Sequence, residues 1–217
     1  LLGALSMRFM VGAVARVMRP GCKLDTVLVL QGRQGAGKST ALSVLGGEWY
    51  ADTELDPHGK DALQQIQGVW IYEVSELERW NNRRDAATIK AFLTSKTDRY
   101  RPPYGRNVVQ QPRQVAFAAT TNRRQVLADA TGSRRFWPVE VGVAGPVDIN
   151  GLRCDRDMLW AEALTLYQRG ERWYLDAEEA EALATHSEAA HEHDPWEERI
   201  ASWVTLNPDK VGFGFTM

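Results

Sequence analysis

Thr26-Val-Leu-Val-Leu-Gln-Gly32-Arg-Gln-Gly-Ala-Gly37-Lys38-Ser39-Thr40 decides how this chain is read. Its first five residues are a short, largely apolar, β-prone run, the pattern of a buried strand. Gly32 to Ser39 then satisfies the spacing G-x-x-x-x-G-K-[ST]. Background frequencies put a chance match in a chain this long on the order of 1%. Its place between a strand and a helix lowers that further, because the motif needs that context. Glycines let backbone N–H groups converge on phosphate oxygens without Cβ clashes. The helix that begins at Thr40 and stops at Gly46-Gly47 adds its N-terminal dipole. Lys38 is placed to neutralise the β- and γ-phosphates, and the Ser39 hydroxyl to ligate Mg²⁺. Gly32, Gln34, Gly35, Ala36, Gly37, Lys38, Ser39 and Thr40 are therefore the expected ATP-binding residues.

Three more strands follow outward. Val69 to Tyr72 is a buried run that ends in Glu73, and Gln114 to Ala119 is another. Phe136 to Val141 is the last, with Pro138 arguing for an edge or a strand start. Helical periodicity covers Asp85 to Thr94, Asp155 to Gln168 and Asp176 to Ala190. Thr97 to Pro112 holds three prolines and reads as a loop or short hairpin. Buried strands alternating with helices predict an α/β fold with a mainly parallel sheet flanked by helices. The chain divides into an N-terminal helical segment (1–22), a P-loop NTPase core (23–145) and a C-terminal helical region (146–217). Leu1 to Met18 is apolar but carries Arg8 and Arg16, so it reads as an amphipathic packing helix, with the arginines on one side and Leu5, Phe9, Val14 and Val17 on the other.

A carboxylate at a strand's C-terminal end sits beside the crevice of an open α/β sheet. Glu73 holds that position and Glu76 lies close enough to share it. Either can hold Mg²⁺ through water or polarise an attacking water. Asn122 follows the third strand, where a neutral amide can touch the γ-phosphate or position a water. Arg134 and Arg135 follow a glycine-containing loop and are candidates for stabilising charge on a transferring phosphoryl group, in cis or from a neighbouring subunit.

The 217 residues carry a net charge of −2. That sum hides a division. Between Arg79 and Arg135 there are 13 Lys and Arg against three Asp, a net +10, which leaves −12 for the rest. The positive block suits a polyanion partner. The acidic run Glu171 to Glu198 reads as a solvated helical face. Cys22 and Cys154 form no disulfide scaffold and fit a reducing compartment such as the cytoplasm. His186, His191 and His193 are poorly spaced for shared metal ligation.

Taken together, these motifs resemble the virulence-associated protein E family of phage and mobile-element proteins. The resemblance runs from about Leu24 to Trp196. It rests on Leu28 to Gly32 with the glycine-rich loop, Gly68-Val-Trp-Ile-Tyr-Glu-Val-Ser-Glu-Leu77, Thr97-Asp-Arg-Tyr-Arg-Pro-Pro-Tyr-Gly-Arg106, Pro112-Arg113, Thr120-Thr-Asn122, Thr131-Gly-Ser-Arg-Arg-Phe-Trp-Pro138 and Leu159 to Ala163. It implies an AAA+-like ATPase core similar to superfamily 3 helicases. Such motors form homo-oligomeric rings, often hexamers, and move on DNA during replication. It assigns Lys38 and Ser39 to the Walker A role, and Glu73 with Glu76 to the Walker B role. Asn122 takes the first sensor position and Arg134 or Arg135 the arginine finger. The Walker B strand departs from the usual Asp-Glu pair. Lys96, Arg99, Arg101 and Arg106 fall where similar motors line a central channel, and would contact DNA phosphates without reading sequence. Tyr100 and Tyr104 either stack on bases there or pack in the core. The C-terminal region is expected to lead into a truncated DNA-binding domain.

The leading expectation is thus a DNA-dependent ATPase, the helicase core of a replication protein, acting with ATP and Mg²⁺ on single-stranded DNA and not in a membrane. An ATP-gated DNA-binding or initiator module without unwinding activity shares every ATPase residue. A small-molecule P-loop kinase is disfavoured by the basic block and by Asn122.

Overall fold

The computed structural model describes residues 1–57, 59, 61–75, 86–122, 135–143, 145–188 and 203. Glu76, Arg134, His191 and His193 lie outside the described residues. Five parallel strands form the main sheet: β1 (Val27–Gln31), β2 (Tyr50–Ala51), β3 (Ile71–Ser75), β6 (Ala116–Thr121) and β7 (Phe136–Glu140), in the order β2-β3-β6-β1-β7. β4 (Thr97–Tyr100) and β5 (Val109–Pro112) make a separate antiparallel hairpin. Among the described residues, six α-helices accompany them: α1 (Leu2–Met18), α2 (Lys38–Gly46), α3 (Ala62–Gln65), α4 (Ala86–Thr94), α5 (Ile149–Gln168) and α6 (Ala177–Glu188).

Strand periodicity sorts the core into two layers. Val27 and Val29 of β1, Tyr72 and Val74 of β3, and Phe117 and Ala119 of β6 face α3 and α4 through Ile66, Ile89, Phe92 and Leu93. Leu28 and Leu30, Ile71, and Ala116 and Ala118 face the other way, onto Leu5, Phe9 and Ala13 of α1, Leu42 of α2 and Leu183 of α6. The central strands are buried on both faces, which explains why they read as unbroken apolar runs rather than alternating ones. Pro138 is tolerated because β7 is an edge strand. α5 begins six residues earlier than its periodicity suggests, because the Asp148 side chain caps it by accepting from the Gly151 N–H at 2.9 Å. No helix among the described residues is long and apolar enough to cross a membrane.

The arginines of α1 do not form a solvated face. Arg8 is buried against the Glu171 and Glu179 carboxylates and the Arg172 carbonyl. Arg16 is 1% exposed and donates to the carbonyls of Leu24 at 2.7 Å and Arg113 at 3.3 Å. Burial pulls its guanidinium down to about 10, yet it stays charged at neutral pH. A helical wheel cannot separate an arginine in water from one capping buried carbonyls.

Arg113 also leaves the basic block. It is fully buried, donating to Asp98 Oδ1 from Nε at 2.9 Å and from Nη2 at 2.5 Å, and to the Phe92 carbonyl. Its guanidinium lies 4.8 Å from the Phe92 ring centroid. Since Asp98 is on β4 and Phe92 on α4, this cluster ties the hairpin to the main sheet. Arg113→Ala strands a buried carboxylate and should lower unfolding free energy by about 3–5 kcal/mol. Urea denaturation checks this, and Asp98→Leu combined with Arg113→Met should recover most of the loss.

Candidate active site

The C-terminal ends of β1, β3 and β6 open on a cavity of about 330 Å³. Residues 34–40 form one wall, and Ser75, Thr120, Thr121 and Asn122 form the other. The glycine-rich loop is tightly fitted. A Cβ on Gly32 would lie 2.3 Å from the Val141 carbonyl oxygen, so the backbones meet too closely for any side chain. Gly37 caps α2 at φ 87°, a left-handed conformation that suits glycine. The segment after β7 braces the loop from outside. The Val147 N–H donates to the Ala36 carbonyl at 3.0 Å, and Val147 and Ile149 pack beside Gly37. That brace carries no motif.

Lys38 is 7% exposed and its ammonium is tightly held. It donates to the carbonyls of Gly32 at 2.7 Å and Arg33 at 2.9 Å, and to Asn122 Oδ1 at 2.9 Å. The expected loop lysine and the expected polar residue of β6 therefore meet directly, although 84 positions separate them.

Glu73 does not end its strand, as the sequence suggests. It lies in the middle of β3 and is 0% exposed. Alternation turns it to the α2 side, the side of Ile71. There its Oε1 accepts from Ser39 Oγ at 2.7 Å and Thr120 Oγ1 at 2.6 Å, with Ser75 Oγ at 3.4 Å. Its Oε2 accepts from the Tyr50 phenol at 2.5 Å. Hydroxyl donors thus satisfy a buried carboxylate with no cationic partner among these bonds. Sequence reasoning misses Tyr50, since a two-residue strand leaves no periodicity to find. Thr120 is visible in the Thr-Thr-Asn run but carries no distinct signal. Burial, followed by the Glu73 hydrogen bond and charge, raises the Tyr50 phenol well above its ordinary range.

The Ser39 hydroxyl, the Glu73 carboxylate and the neighbouring hydroxyls form an all-oxygen donor set. A hard cation that keeps several waters and takes one or two protein ligands fits it. No group of three or more His, Cys, Asp or Glu among the described residues offers another metal centre.

Arg135 lies at the opposite end of the sheet. Its carbonyl accepts from the Val27 N–H at 2.7 Å, where β1 begins, whereas the cavity lies where β1 ends. Five residues of strand place these ends roughly 16 Å apart. Arg135 Nε is 3.8 Å from Asp25 Oδ2 and has no hydrogen-bond partner among the described residues. Lys96, Arg99, Arg101 and Arg106 are exposed on the hairpin, which joins the sheet where β6 begins. Tyr104, at its tip, is fully exposed with φ 61°, while Tyr100 is half-buried.

These features define an open, parallel α/β domain whose crevice lies at the carboxyl ends of its strands, where ligands bind in such sheets. The model of the virulence-associated protein E-like domain matches residues 2–192, and the chain belongs to that family. It is also similar to a solved apo structure of the NrS-1 C-terminal region (305–718), with TM-score 0.55 and 14% identity over 87% of this chain and 48% of that one. A second structure of the NrS-1 C-terminal region, in an A form, gives TM-score 0.50 and 13% identity over 86% of this chain and 46% of that one. The chain spans about half the length of those structures, and at such identities the likeness shows the fold alone. No curated protein matches the sequence.

Proposed function

We propose that this chain is the ATP-hydrolysing core of a DNA-dependent replication motor with an AAA+-like P-loop NTPase fold. The observation that carries the reading is the convergence of Lys38, Ser39 and Asn122 on one cavity beside a glycine-rich loop, with Glu73 bonded to Ser39 and Thr120 directly behind its wall. The strand order supports it, because β6 lies between β1 and β3 and brings a neutral amide between the loop lysine and the acidic strand.

Residues 32–40 bind the triphosphate, and Lys38 exchanges its carbonyl partners for phosphate oxygens. Ser39 and Glu73 would hold Mg²⁺, which when bound would supply positive charge against the phosphates. The anchoring of the cation and the activation of the attacking water fall between Glu73 and Glu76. Asn122 reports the γ-phosphate to Lys38 and β6. Arg135, or Arg134 beside it, completes the site of an adjacent copy in a ring.

DNA contacts fall to Lys96, Arg99, Arg101 and Arg106, with Tyr104 free to stack on bases. ATP turnover should therefore rise with single-stranded DNA, and that stimulation should weaken as salt increases. Replacing any one of the four cations by alanine should reduce the logarithmic salt slope by about 0.7. Turnover indifferent to DNA at every salt concentration would remove DNA from this assignment. ATP-driven strand displacement then separates a helicase from a DNA-binding module that only gates on ATP.

A further inference from the structure

The hydrogen bonds around Glu73 are unevenly distributed. Ser39 and Thr120 both donate to Oε1, while Oε2 accepts from Tyr50 at 2.5 Å. Tyr50 comes from β2, at the far side of β3 from Thr120, and pairs with β3 through Ile71. Its backbone is held close to α2, because a Cβ on Gly46 would lie 2.7 Å from Tyr50 Cβ. The base of the Tyr50 side chain is thus held by β3 on one side and α2 on the other.

Resting on the ATPase reading above, we infer that Tyr50 is a positioning residue that locks Glu73 Oε2 and turns Oε1 towards Ser39, making Glu73 the anchor of the cation and leaving proton transfer to a different carboxylate. Three facts support this division. Glu73 is fully buried, which keeps bulk water from it. Its Oε2 is engaged by a donor held on both sides. Its Oε1 shares the Ser39 hydroxyl, the other oxygen expected to face the cation. In hydrolysis, water oxygen bonds to the γ-phosphorus while the bond to the β-phosphate oxygen breaks, giving ADP and inorganic phosphate. The proton lost by water goes to the second carboxylate, for which Glu76 is the sequence candidate.

The experiment titrates Mg²⁺ into the whole chain with a fluorescent ATP analogue and measures equilibrium binding, then repeats the titration for turnover. Tyr50→Phe should raise the half-saturating Mg²⁺ concentration about tenfold, the usual worth of one hydrogen bond to a charged group. Binding of the analogue in EDTA should not change, and turnover at saturating Mg²⁺ should fall less than twofold. Tyr50→His keeps a donor and should show a smaller shift. In a Glu73→Gln background, Tyr50→Phe should add nothing. An unchanged Mg²⁺ response in Tyr50→Phe, an equal shift in Tyr50→His, or additive effects with Glu73→Gln would each overturn the inference while leaving ATP binding intact. A wild-type chain that binds no ATP analogue with or without Mg²⁺ would overturn the ATPase reading, and this inference with it.

Discussion

Lys38→Ala is expected to lower ATP turnover a thousandfold or more, on the order expected when a donor to developing phosphoryl charge is lost. The fold should survive. The lysine's carbonyl partners, Gly32 and Arg33, belong to the loop and not to the hydrophobic layers. Each carbonyl loses a charged donor, worth about 1.5–3 kcal/mol where nothing replaces it, and the open cavity lets water take its place. Asn122 loses its donor too, so its amide is released from the loop. Thermal melting should therefore show a shift of a few degrees, while phosphate release falls to background. Full turnover in a folded Lys38→Ala protein would refute the site.

The second large effect falls far from the cavity. Arg135→Ala should reduce turnover by about a thousandfold or more, in the range seen for arginine fingers. ATP binding should stay close to wild type, because Arg135 lies at the other end of the strands from residues 32–40. No side chain spans that distance within one subunit, so in the proposed mechanism this arginine serves a neighbour. Mixing Arg135→Ala with Lys38→Ala should restore part of the activity, since each supplies the residue the other lacks across a shared interface. Activity that is lost and stays lost on mixing would rule out action in trans. Undiminished turnover in Arg135→Ala alone would remove the residue from the mechanism.

The parts that sequence conveys are those governed by neighbours in the chain. Val27 to Gln31 reads as a strand because its residues are apolar in succession, and Gly32 to Ser39 reads as a loop because glycine is needed at fixed offsets. The Phe136 strand reveals even its edge position through Pro138. What sequence conceals depends on partners distant along it. Arg113 counts as a cation until Asp98 and Phe92 close round it, and Arg8 counts as solvated until Glu171 and Glu179 arrive from more than 160 positions away. Tyr50 is concealed for the same reason, since only the folded sheet places it beside Glu73. The count of cations in the basic block accordingly falls by Arg113, while its net +10 stands, because the partner Asp98 leaves the count of acids with it. The four cations on the exposed hairpin survive that correction.

β6 has Asn122 just beyond one end and Arg113 three residues before the other, and it is hydrogen-bonded to β1 and β3 along its length. Both of its faces are buried. A strand so clamped cannot slide past its neighbours without breaking two ladders at once. Displacement of the hairpin against the glycine-rich loop must therefore be taken up either by bending at 113–115 or by rotation of the whole sheet. The first is opposed by the Asp98–Arg113 lock. Force applied at the hairpin tip is thus expected to turn the domain as one rigid lever, and in a ring its fulcrum would be the contact between adjacent copies.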